Sequence, residues 1–422
     1  MPARRSPGEG GRPRVLVLTT YYHPVVGGVE THARQLVAHL AANGFPVRVV
    51  TKRVPAAPKD DRVDGVTVHR VGPVGERRSS GKWIALPAFF SKTLALRDHC
   101  DVIVCIDYRG IGIGAIAAGR LLGRPVIAQG ETAGVLGSAE AGTGSGLTPE
   151  SPVTQVLKAP VRAIYKQADH IVCIGRHLER EALAAGVPRG RVHHLPHGVD
   201  VERFRLPMAG ERNQIRAKLG WPADRPVVLF LGRLSHEKGV MDLLEAWRLL
   251  DRGDAILSLV GPDMTGHPWD AGGPGRAFAA AHGLAESVWF EGATDDPAPF
   301  YRAADVFVQP SHFEALGNTA IEAMASGLPI VASAVGGLKD FCVDGANALV
   351  HQPRSAPSIA QAIARLLGDA PLRGRLGLAA RRTAVDRFEI GALLGRYAAL
   401  IERAAAERKR AATRAAPTSD AR

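Results

Sequence analysis

The chain has 422 residues, 46% of them hydrophobic and 22% charged, and its formal net charge at pH 7 is +12. This length predicts two or three domains, because single cores rarely grow past about 250–300 residues. The hydrophobic share excludes a mostly disordered chain. The sequence contains no uninterrupted run of about 18 apolar residues, which excludes a spanning helix, and its basic first 14 residues lack the apolar stretch of a secretory signal.

The four cysteines show no C-x-x-C spacing, and three of them lie in apolar runs. This pattern favours reduced core residues over a metal site or disulfides, and hence a cytoplasmic protein. The positive charge indicates an anionic partner, but half of the excess lies in residues 1–14 and 401–422. Such ends are consistent with peripheral attachment to the inner face of an anionic membrane, and equally with flexible basic ends that have no partner. We expect no nucleic-acid binding, because no helix-turn-helix, finger or aromatic-basic motif occurs.

Short apolar runs alternate with helical periodicity through the first half of the chain. Runs that are apolar at every position are typical of parallel strands covered on both faces. Helices are predicted from Gly27-Gly28 to Leu40 and over residues 111–122. The segment 135–151 is rich in Gly, Ser and Thr and predicts a mobile loop. The predicted strands are residues 15–20, 47–51, 102–106, 126–128, 171–174 and 192–195.

A second alternating series begins at Val227, with strands over residues 227–231, 256–260, 288–290, 306–308 and 329–332. The helices between them are predicted at 241–250, 276–282, 299–304 and 319–325, and further helices at 356–367 and 372–401. Two such series predict an α/β protein with two doubly wound, Rossmann-like domains that face a central cleft. The predicted division is a basic flexible terminus (1–13), an N-terminal domain (14–200), a C-terminal domain (201–371), helices that return to the first domain (372–403) and a flexible tail (404–422).

The first strand-to-helix turn carries Pro24, Gly27, Gly28 and Glu30. Neither a P-loop nor a G-x-G-x-x-G fingerprint is present in either half. Two glycines that open a helix leave its first N–H groups accessible to an anion at the positive end of the helix dipole. A plain tight turn explains the same residues equally well.

The segment from Gly232 to Gly239 places Arg233 and Lys238 just before a predicted helix. Cations at a helix N-terminus oppose the dipole, so this arrangement favours a bound anion such as a pyrophosphate. The alternative is that both long side chains extend into solvent at little cost.

Two carboxylates, Glu314 and Glu322, flank the start of the helix predicted at 319–325. A turn at Gly317 would fold Glu314 back over the helix start, which sets carboxylates beside N–H groups. A sugar nucleotide fits that arrangement, with hydroxyls for the carboxylates and phosphates for the N–H groups. Without a ligand, Thr319-x-x-Glu322 also matches a capping box, and Glu314 matches an ordinary loop acid.

Four motifs occur in order: Pro24 to Glu30 (P-x-x-G-G-x-E), His197 to Phe204 (N-G-V-D-x-x-x-F with His for Asn), Gly232 to Gly239 (G-R-L-x-x-x-K-G) and Glu314 to Glu322 (E-x7-E). Over residues 15 to about 387 the chain resembles the retaining glycosyltransferases of the GT-B fold, family 4. The resemblance implies transfer of a sugar from a nucleotide-diphosphate donor to an acceptor, which is a glycan, a lipid-linked molecule or a small molecule. The C-terminal domain would bind the donor, and the N-terminal domain would offer most of the acceptor surface.

The resemblance also implies roles for individual residues. Arg233 and Lys238 would hold the donor diphosphate, Glu314 would contact the donor sugar, and Glu322 would bind the ribose hydroxyls. Backbone N–H groups of Leu316, Gly317 and Asn318 would meet the phosphates, and Gly27 and Gly28 would approach from the first domain. Since the two cations supply the charge and no metal-ligand cluster is evident, we expect no metal and no cofactor besides the donor substrate.

One position departs from the family pattern, because Gln129 stands where a catalytic-site histidine is common. Glutamine forms hydrogen bonds but cannot hold a proton, although Glu131 or Asp107 could supply a carboxylate nearby. Three interpretations remain open: a tolerated variant of one mechanism, an altered acceptor class, or a weakened enzyme. Two rival functions follow: a nucleotide-sugar epimerase or hydrolase of the same fold, and a catalytically weak sugar-nucleotide-binding subunit.

Overall fold

The structure is a computed structural model that describes residues 11–55, 57–74, 84–137, 152–250 and 253–415. Its backbone divides into two compact units. One comprises the chain up to Pro196 together with the chain from Leu393 onward, and the other is His197–Ala392. Each unit is built on its own mostly parallel sheet. The division falls four residues before the predicted boundary at residue 200.

The first unit contains an eight-stranded sheet in the order β3-β4-β2-β1-β5-β6-β7-β8, in which only the pairing of β3 with β4 is antiparallel. All side chains of β1, β5 and β6 are buried, which explains why these runs are apolar at nearly every position. The strands are β1 (Val15–Thr19), β2 (Val47–Lys52), β3 (Asp60–Val63), β4 (Val66–Val71), β5 (Val102–Ile106), β6 (Val126–Gly130), β7 (His170–Cys173) and β8 (Val192–His194).

Helices connect these parallel strands. They are α1 (Gly28–Ala42), α2 (Leu86–Ala95), α3 (Ile111–Leu122), α4 (Pro152–Tyr165) and α5 (Arg176–Ala184). The strand order reverses between β1 and β5, so the loops after these strands flank the topological switch point of the sheet. Most of the loop predicted at 135–151 lies outside the described residues.

The second unit contains a six-stranded parallel sheet in the order β11-β10-β9-β12-β13-β14. Its core is built around the fully buried Trp247 and the apolar strand residues. The strands are β9 (Val227–Leu231), β10 (Ile256–Val260), β11 (Val288–Gly292), β12 (Val306–Gln309), β13 (Ile330–Ser333) and β14 (Leu349–His351). The helices are α6 (Glu211–Leu219), α7 (Val240–Leu249), α8 (Gly272–Ala281), α9 (Ala298–Ala303), α10 (Asn318–Ala325) and α11 (Ala356–Gly368).

The C-terminal segment differs from the single helix predicted at 372–401. It forms two helices, α12 (Ala370–Phe388) and α13 (Ile390–Ala415), separated at Glu389. Helix α12 lies within the second unit, where a Cβ at Gly377 would stand 2.3 Å from the carbonyl oxygen of Gly327. Only the chain from Leu393 joins the first unit, whereas we expected the return from residue 372.

The flexible tail expected from residue 404 is helical as far as Ala415. Its Ala, Arg, Lys and Glu residues are strong helix formers, and Ala404 and Ala405 are buried. All four cysteines, Cys100, Cys105, Cys173 and Cys342, are buried and free, as their apolar surroundings predicted. Among the helices that the structure describes, none combines the length and apolar composition needed to cross a bilayer.

Candidate functional site

Two loops of the second unit leave neighbouring parallel strands at the same sheet edge. The loop after β9 carries Arg233 and Lys238, and the loop after β12 carries Glu314. The strand order reverses between these two strands, and such a switch point is where open α/β sheets bind ligands. The fold therefore brings the cationic and acidic motifs of the sequence to one edge.

Gly239 allows the two loops to approach each other closely. It ends a short 3₁₀ turn at His236–Lys238, has φ +71°, and precedes helix α7. A Cβ at this position would lie 2.1 Å from the carbonyl oxygen of Pro310, in the loop after β12. A side chain here would meet both a steric clash and an unfavourable backbone angle, so glycine is required.

Lys238 and Glu314 form an ion pair, with 2.6 Å between Nζ and Oε1. Only 19% of the Lys238 side chain and 10% of the Glu314 side chain are exposed, so solvent screens the pair weakly. Glu314 Oε1 also accepts hydrogen bonds from Gln309 Nε2 at 2.7 Å and from Ser311 Oγ at 2.8 Å. Three donors thus converge on one carboxylate oxygen and fix its position.

Gln309 and Ser311 are site residues that the sequence analysis missed. Gln309 is 2% exposed at the end of β12, and its Oε1 accepts a hydrogen bond of 2.7 Å from Thr319 Oγ1. The amide therefore joins the first turn of α10 to Glu314. A polar residue at the end of an otherwise apolar strand, next to a switch point, is the signal that could have identified it.

The segment after β13 packs against the backbone of the Glu314 loop. Gly337 N donates to Glu314 O at 2.9 Å. Gly336 has φ +43°, and a Cβ there would lie 1.9 Å from the same carbonyl oxygen. This glycine pair shapes the loop that carries the carboxylate.

Arg233 lies in the same β9 loop but has a different partner. Its Nη2 donates to Glu237 Oε1 at 2.5 Å, and 41% of its side chain is exposed. His312, beside Glu314 in sequence, bonds Asp242 of α7 through Nε2 at 2.5 Å. The side chain of Arg233 is therefore more exposed to solvent than that of Lys238.

Helix α10 begins at Asn318 after Gly317, which has φ +98°. Leu316 is buried, and Asn318 Nδ2 lies 3.2 Å from His197 Nδ1. Gly317, at the N-cap position, has no side chain that could cap this helix. The first amide groups of α10 lie at the positive end of the helix dipole, and the helix begins four residues after Glu314 in sequence.

The capping-box interpretation of Thr319 and Glu322 is wrong. Thr319 bonds Gln309 instead of a backbone N–H group, and Glu322 Oε2 accepts a hydrogen bond of 2.9 Å from the Tyr301 hydroxyl. Burial raises the pKa of Glu322 to about 7, although the Tyr301 hydrogen bond and the charge of Arg203 act to lower it. Glu322 as a whole residue is only partly buried.

In the first unit, Gly27 and Gly28 stand at the start of α1, as predicted. Gly27 has the extended φ of 177° and Gly28 is the first helical residue. Gly27, at the N-cap position, has no side chain that could cap α1, and Gly27 O accepts from Thr31 N at 2.9 Å. The helix therefore starts from an extended glycine and needs no left-handed residue.

Gln129 is fully buried at the end of β6, and its Nε2 donates to Glu131 Oε1 at 2.5 Å. Asp107, after β5, pairs with Arg109 through two contacts of 2.9 and 3.3 Å and adopts the left-handed φ of 52°. Buried Tyr397 of α13 lies near enough to Glu131 for that carboxylate to help raise its pKa well above the usual value, although burial is the larger cause. Both carboxylates named in the sequence analysis thus lie at the C-terminal edge of the first sheet.

Across the described residues, no group of three or more His, Cys, Asp or Glu side chains is arranged so that it could hold a metal ion.

The fold and these motifs agree with two family matches. Residues 211–383 match the family described as Glycosyl transferases group 1, and residues 26–203 match Glycosyltransferase Family 4. The chain belongs to the group 1 glycosyltransferases of the GT-B fold, family 4. It is therefore a glycosyltransferase.

Individual relatives cover nearly the whole chain. A D-inositol 3-phosphate glycosyltransferase of Geodermatophilus obscurus is 30% identical over 97% of this chain and 95% of its own length. A GDP-mannose-dependent alpha-mannosyltransferase of Mycobacterium tuberculosis is 30% identical over 92% of this chain and 97% of its own. The solved structure of a sucrose-phosphate synthase from Thermosynechococcus elongatus superimposes with a TM-score of 0.75 at 25% identity, covering 93% of this chain and all of that one.

Proposed function

We propose that this protein transfers a sugar from a nucleoside-diphosphate donor to a hydroxyl-bearing acceptor, with retention of anomeric configuration and without a metal ion. The observation that carries the proposal is the convergence of Lys238, Glu314 and the uncapped start of α10 at one switch point. A diphosphate needs cations and N–H groups, and a sugar needs carboxylates and amides that accept from its hydroxyls. All of these groups meet in one unit.

Arg233 and Lys238 are assigned to the donor diphosphate. As the bond from the anomeric carbon to the diphosphate oxygen breaks, negative charge grows on the leaving group. Fixed cations stabilise this charge more than the ground state and so accelerate transfer. Two cationic side chains supply the charge that a metal ion supplies in other transferases.

The proposed chemistry needs no protein nucleophile. The acceptor oxygen forms its bond to the anomeric carbon on the face that the diphosphate leaves, and the acceptor proton passes to the leaving phosphate oxygen. Glu314 is assigned to the hydroxyls of the donor sugar and Glu322 to those of the ribose. The mannosyltransferase relative, whose name specifies GDP-mannose, supports a nucleotide sugar as donor.

The acceptor is assigned to the first unit, at the edge that carries Gln129, Glu131 and Asp107. These side chains accept hydrogen bonds from hydroxyl groups, which suits a sugar or polyol. The relative named for D-inositol 3-phosphate supports a hydroxylated acceptor of this kind. Since Gln129 cannot hold a proton, its proposed role is to orient a hydroxyl group.

We further propose a cytoplasmic location, with peripheral attachment of the basic helix α13 to an anionic bilayer. The four free cysteines support a reducing compartment, and exposed Arg408, Lys409 and Arg410 supply the positive charge. Co-sedimentation with vesicles that contain anionic lipid, compared with neutral vesicles, tests the attachment.

A thermal-shift panel of UDP-, GDP- and ADP-sugars tests the donor assignment, because a ligand that binds only the folded state raises the melting temperature. Transfer is then measured with the best donor and a panel of sugar and polyol acceptors, and the product anomer is read by NMR. Donor turnover that no acceptor accelerates would identify the hydrolase or epimerase alternative. Stabilisation without turnover would identify a binding subunit, in which Gln129→His is the variant to assay for recovered activity.

A further inference from the structure

Tyr301 lies on helix α9 and is fully buried. It is the hydrogen-bond partner of Glu322, which lies on helix α10. Its ring contacts Phe204 and Phe307, with centroid distances of 5.8 and 5.7 Å. Its hydroxyl donates to Glu322 Oε2 at 2.9 Å. Because the aromatic neighbours fix the ring, the hydroxyl has one position, and that position is against the carboxylate.

Few charged groups face Glu322. Arg203 lowers its pKa through space, but this arginine is itself paired with Asp296 at 2.9 Å. Arg381 of α12 bonds the main-chain oxygens of Phe204 and Ala325. Of the described Lys and Arg residues, none forms an ion pair with Glu322, so the Tyr301 hydroxyl is its closest stabilising partner.

The hydrogen bond also favours the ionised carboxylate. Tyr301 donates to Oε2, and a donor at this position stabilises the negative charge of the carboxylate more than the neutral carboxyl group. An ionised Oε1 accepts hydrogen bonds from hydroxyl groups, whereas a protonated Oε1 presents a donor and loses the charge that strengthens such bonds. A ligand that binds through its hydroxyls is therefore bound more tightly by the ionised form.

We propose that Tyr301 is a positioning residue that favours the ionised form of Glu322 for contact with the nucleotide ribose, and that donor binding is coupled to release of a proton from this carboxyl group. This inference rests on the proposed function, in which Glu322 binds the ribose hydroxyls. Because burial raises the pKa of Glu322 to about 7, this coupling between binding and proton release falls in the neutral pH range. The protein then binds nucleotide more tightly as pH rises through neutrality.

The test is isothermal titration calorimetry with UDP, GDP and ADP between pH 5.5 and 8.5. The wild-type chain is compared with Tyr301→Phe and with Glu322→Gln. A matched control is Tyr165→Phe, since Tyr165 is also buried and its hydroxyl accepts from Gly110 N at 2.8 Å in the other unit. The nucleotide phosphate titrates near pH 6 by itself and contributes equally to every variant, so only differences between variants are interpreted.

Tyr301→Phe is expected to move the midpoint of the affinity profile about one pH unit higher, because the carboxylate loses a hydrogen bond that favours its charged form. Affinity at pH 8.5 stays within about threefold of the wild type, and Tyr165→Phe keeps the wild-type midpoint. Identical midpoints in the wild type and Tyr301→Phe would overturn the inference while leaving the proposed function intact.

Proton release gives a second measurement that does not depend on whether Tyr301→Phe folds. Titrations of the wild type in two buffers of different ionisation enthalpy count the protons released on binding. Near pH 6.5 the wild type should release more protons than Glu322→Gln, and equal release would overturn the inference. If none of the three nucleotides binds the wild type, the proposed function fails, and this inference fails with it.

Discussion

Lys238 and Glu314, 76 residues apart in sequence, form an ion pair at the carboxyl edge of the second sheet. The cation proposed to hold the donor diphosphate therefore has a counter-ion within the chain. Under the proposed function, donor binding exchanges this carboxylate for a phosphate at Lys238, and Glu314 becomes available to the sugar hydroxyls. Because an enclosed lysine is never left uncompensated, the site avoids the penalty of an unpaired buried charge.

Replacement of Lys238 tests the phosphate assignment. We expect Lys238→Ala to reduce sugar transfer by at least about tenfold, or ~1.4 kcal/mol of transition-state stabilisation. The leaving diphosphate loses a fixed positive charge, and Glu314 loses its ion-pair partner. Kinetic constants with the identified donor provide the measurement, and Lys218→Ala, an exposed lysine on α6, is the control. Normal activity of a folded Lys238→Ala protein would exclude the assignment.

Gln309→Leu tests whether Gln309 positions Glu314 for sugar transfer without itself being needed to bind the donor. Thr319 loses its acceptor and Glu314 loses a donor, which we expect to lower the free energy of unfolding by about 1–3 kcal/mol. Transfer should fall more than donor affinity does, because Lys238 remains. Urea unfolding and steady-state kinetics measure both effects. Ser311→Ala removes one donor but leaves the Thr319 bond, so an effect as large as that of Gln309→Leu would contradict this explanation.

Glu322→Gln should change how stability depends on pH. In the folded chain the Glu322 pKa is about 7, and in the unfolded chain it is near 4.5, so between these values only the folded state holds the proton. The unfolding free energy of the wild type therefore falls as pH rises from 4.5 to 7, whereas a glutamine lacks this decline. At pH 8 the variant should be more stable than the wild type by on the order of 1–3 kcal/mol.

Chemical denaturation at pH 5 and pH 8 measures this difference. Glu286→Gln, at an exposed glutamate of the same unit, serves as the control. If the wild type and Glu322→Gln show parallel pH profiles, the carboxyl group does not titrate abnormally in the folded chain.

Gly239→Ala should disturb the approach of the two site loops. A methyl group would stand 2.1 Å from Pro310 O and would also require a φ of +71°. Gly210→Ala is a matched control, because Gly210 has φ +77° but no atom within 4 Å of the added Cβ. We expect about 1 kcal/mol of destabilisation in the control, and a greater loss of both stability and donor binding in Gly239→Ala. Equal effects on donor binding would show that the contact with Pro310 does not shape the site.

Most strands were predictable because their runs are apolar at nearly every position, as in β5, β9 and β10, whose bounds match the prediction. Helix α6 was missed because its sequence, ERNQIRAKL, contains almost no apolar periodicity. Its buried Arg216 is held instead by Asp305 and by carbonyl oxygens such as that of Ala303. A helix that buries an arginine through such partners has no signature in a hydrophobic pattern.

The candidate site was predictable as a set of residue types, not as a set of contacts. Motif spacing predicted Arg233, Lys238, Glu314 and Glu322 as candidates, but the hydrogen-bond partners of the two glutamates come from other elements. Tyr301 reaches Glu322 only because α9 and α10 flank β12. The raised pKa of Glu322 likewise follows from tertiary burial, which no local sequence pattern encodes.

Helix α13 has a consequence for how the chain can be divided. Its first three residues belong to the second unit and the remainder to the first, where Tyr397, Leu400 and Ile401 are buried. The second unit is therefore one continuous stretch of chain, residues 197–392. The other unit has no continuous equivalent: it must be made as a fusion in which a linker joins residue 196 to residue 393, and a stop codon at residue 393 would remove part of its hydrophobic core.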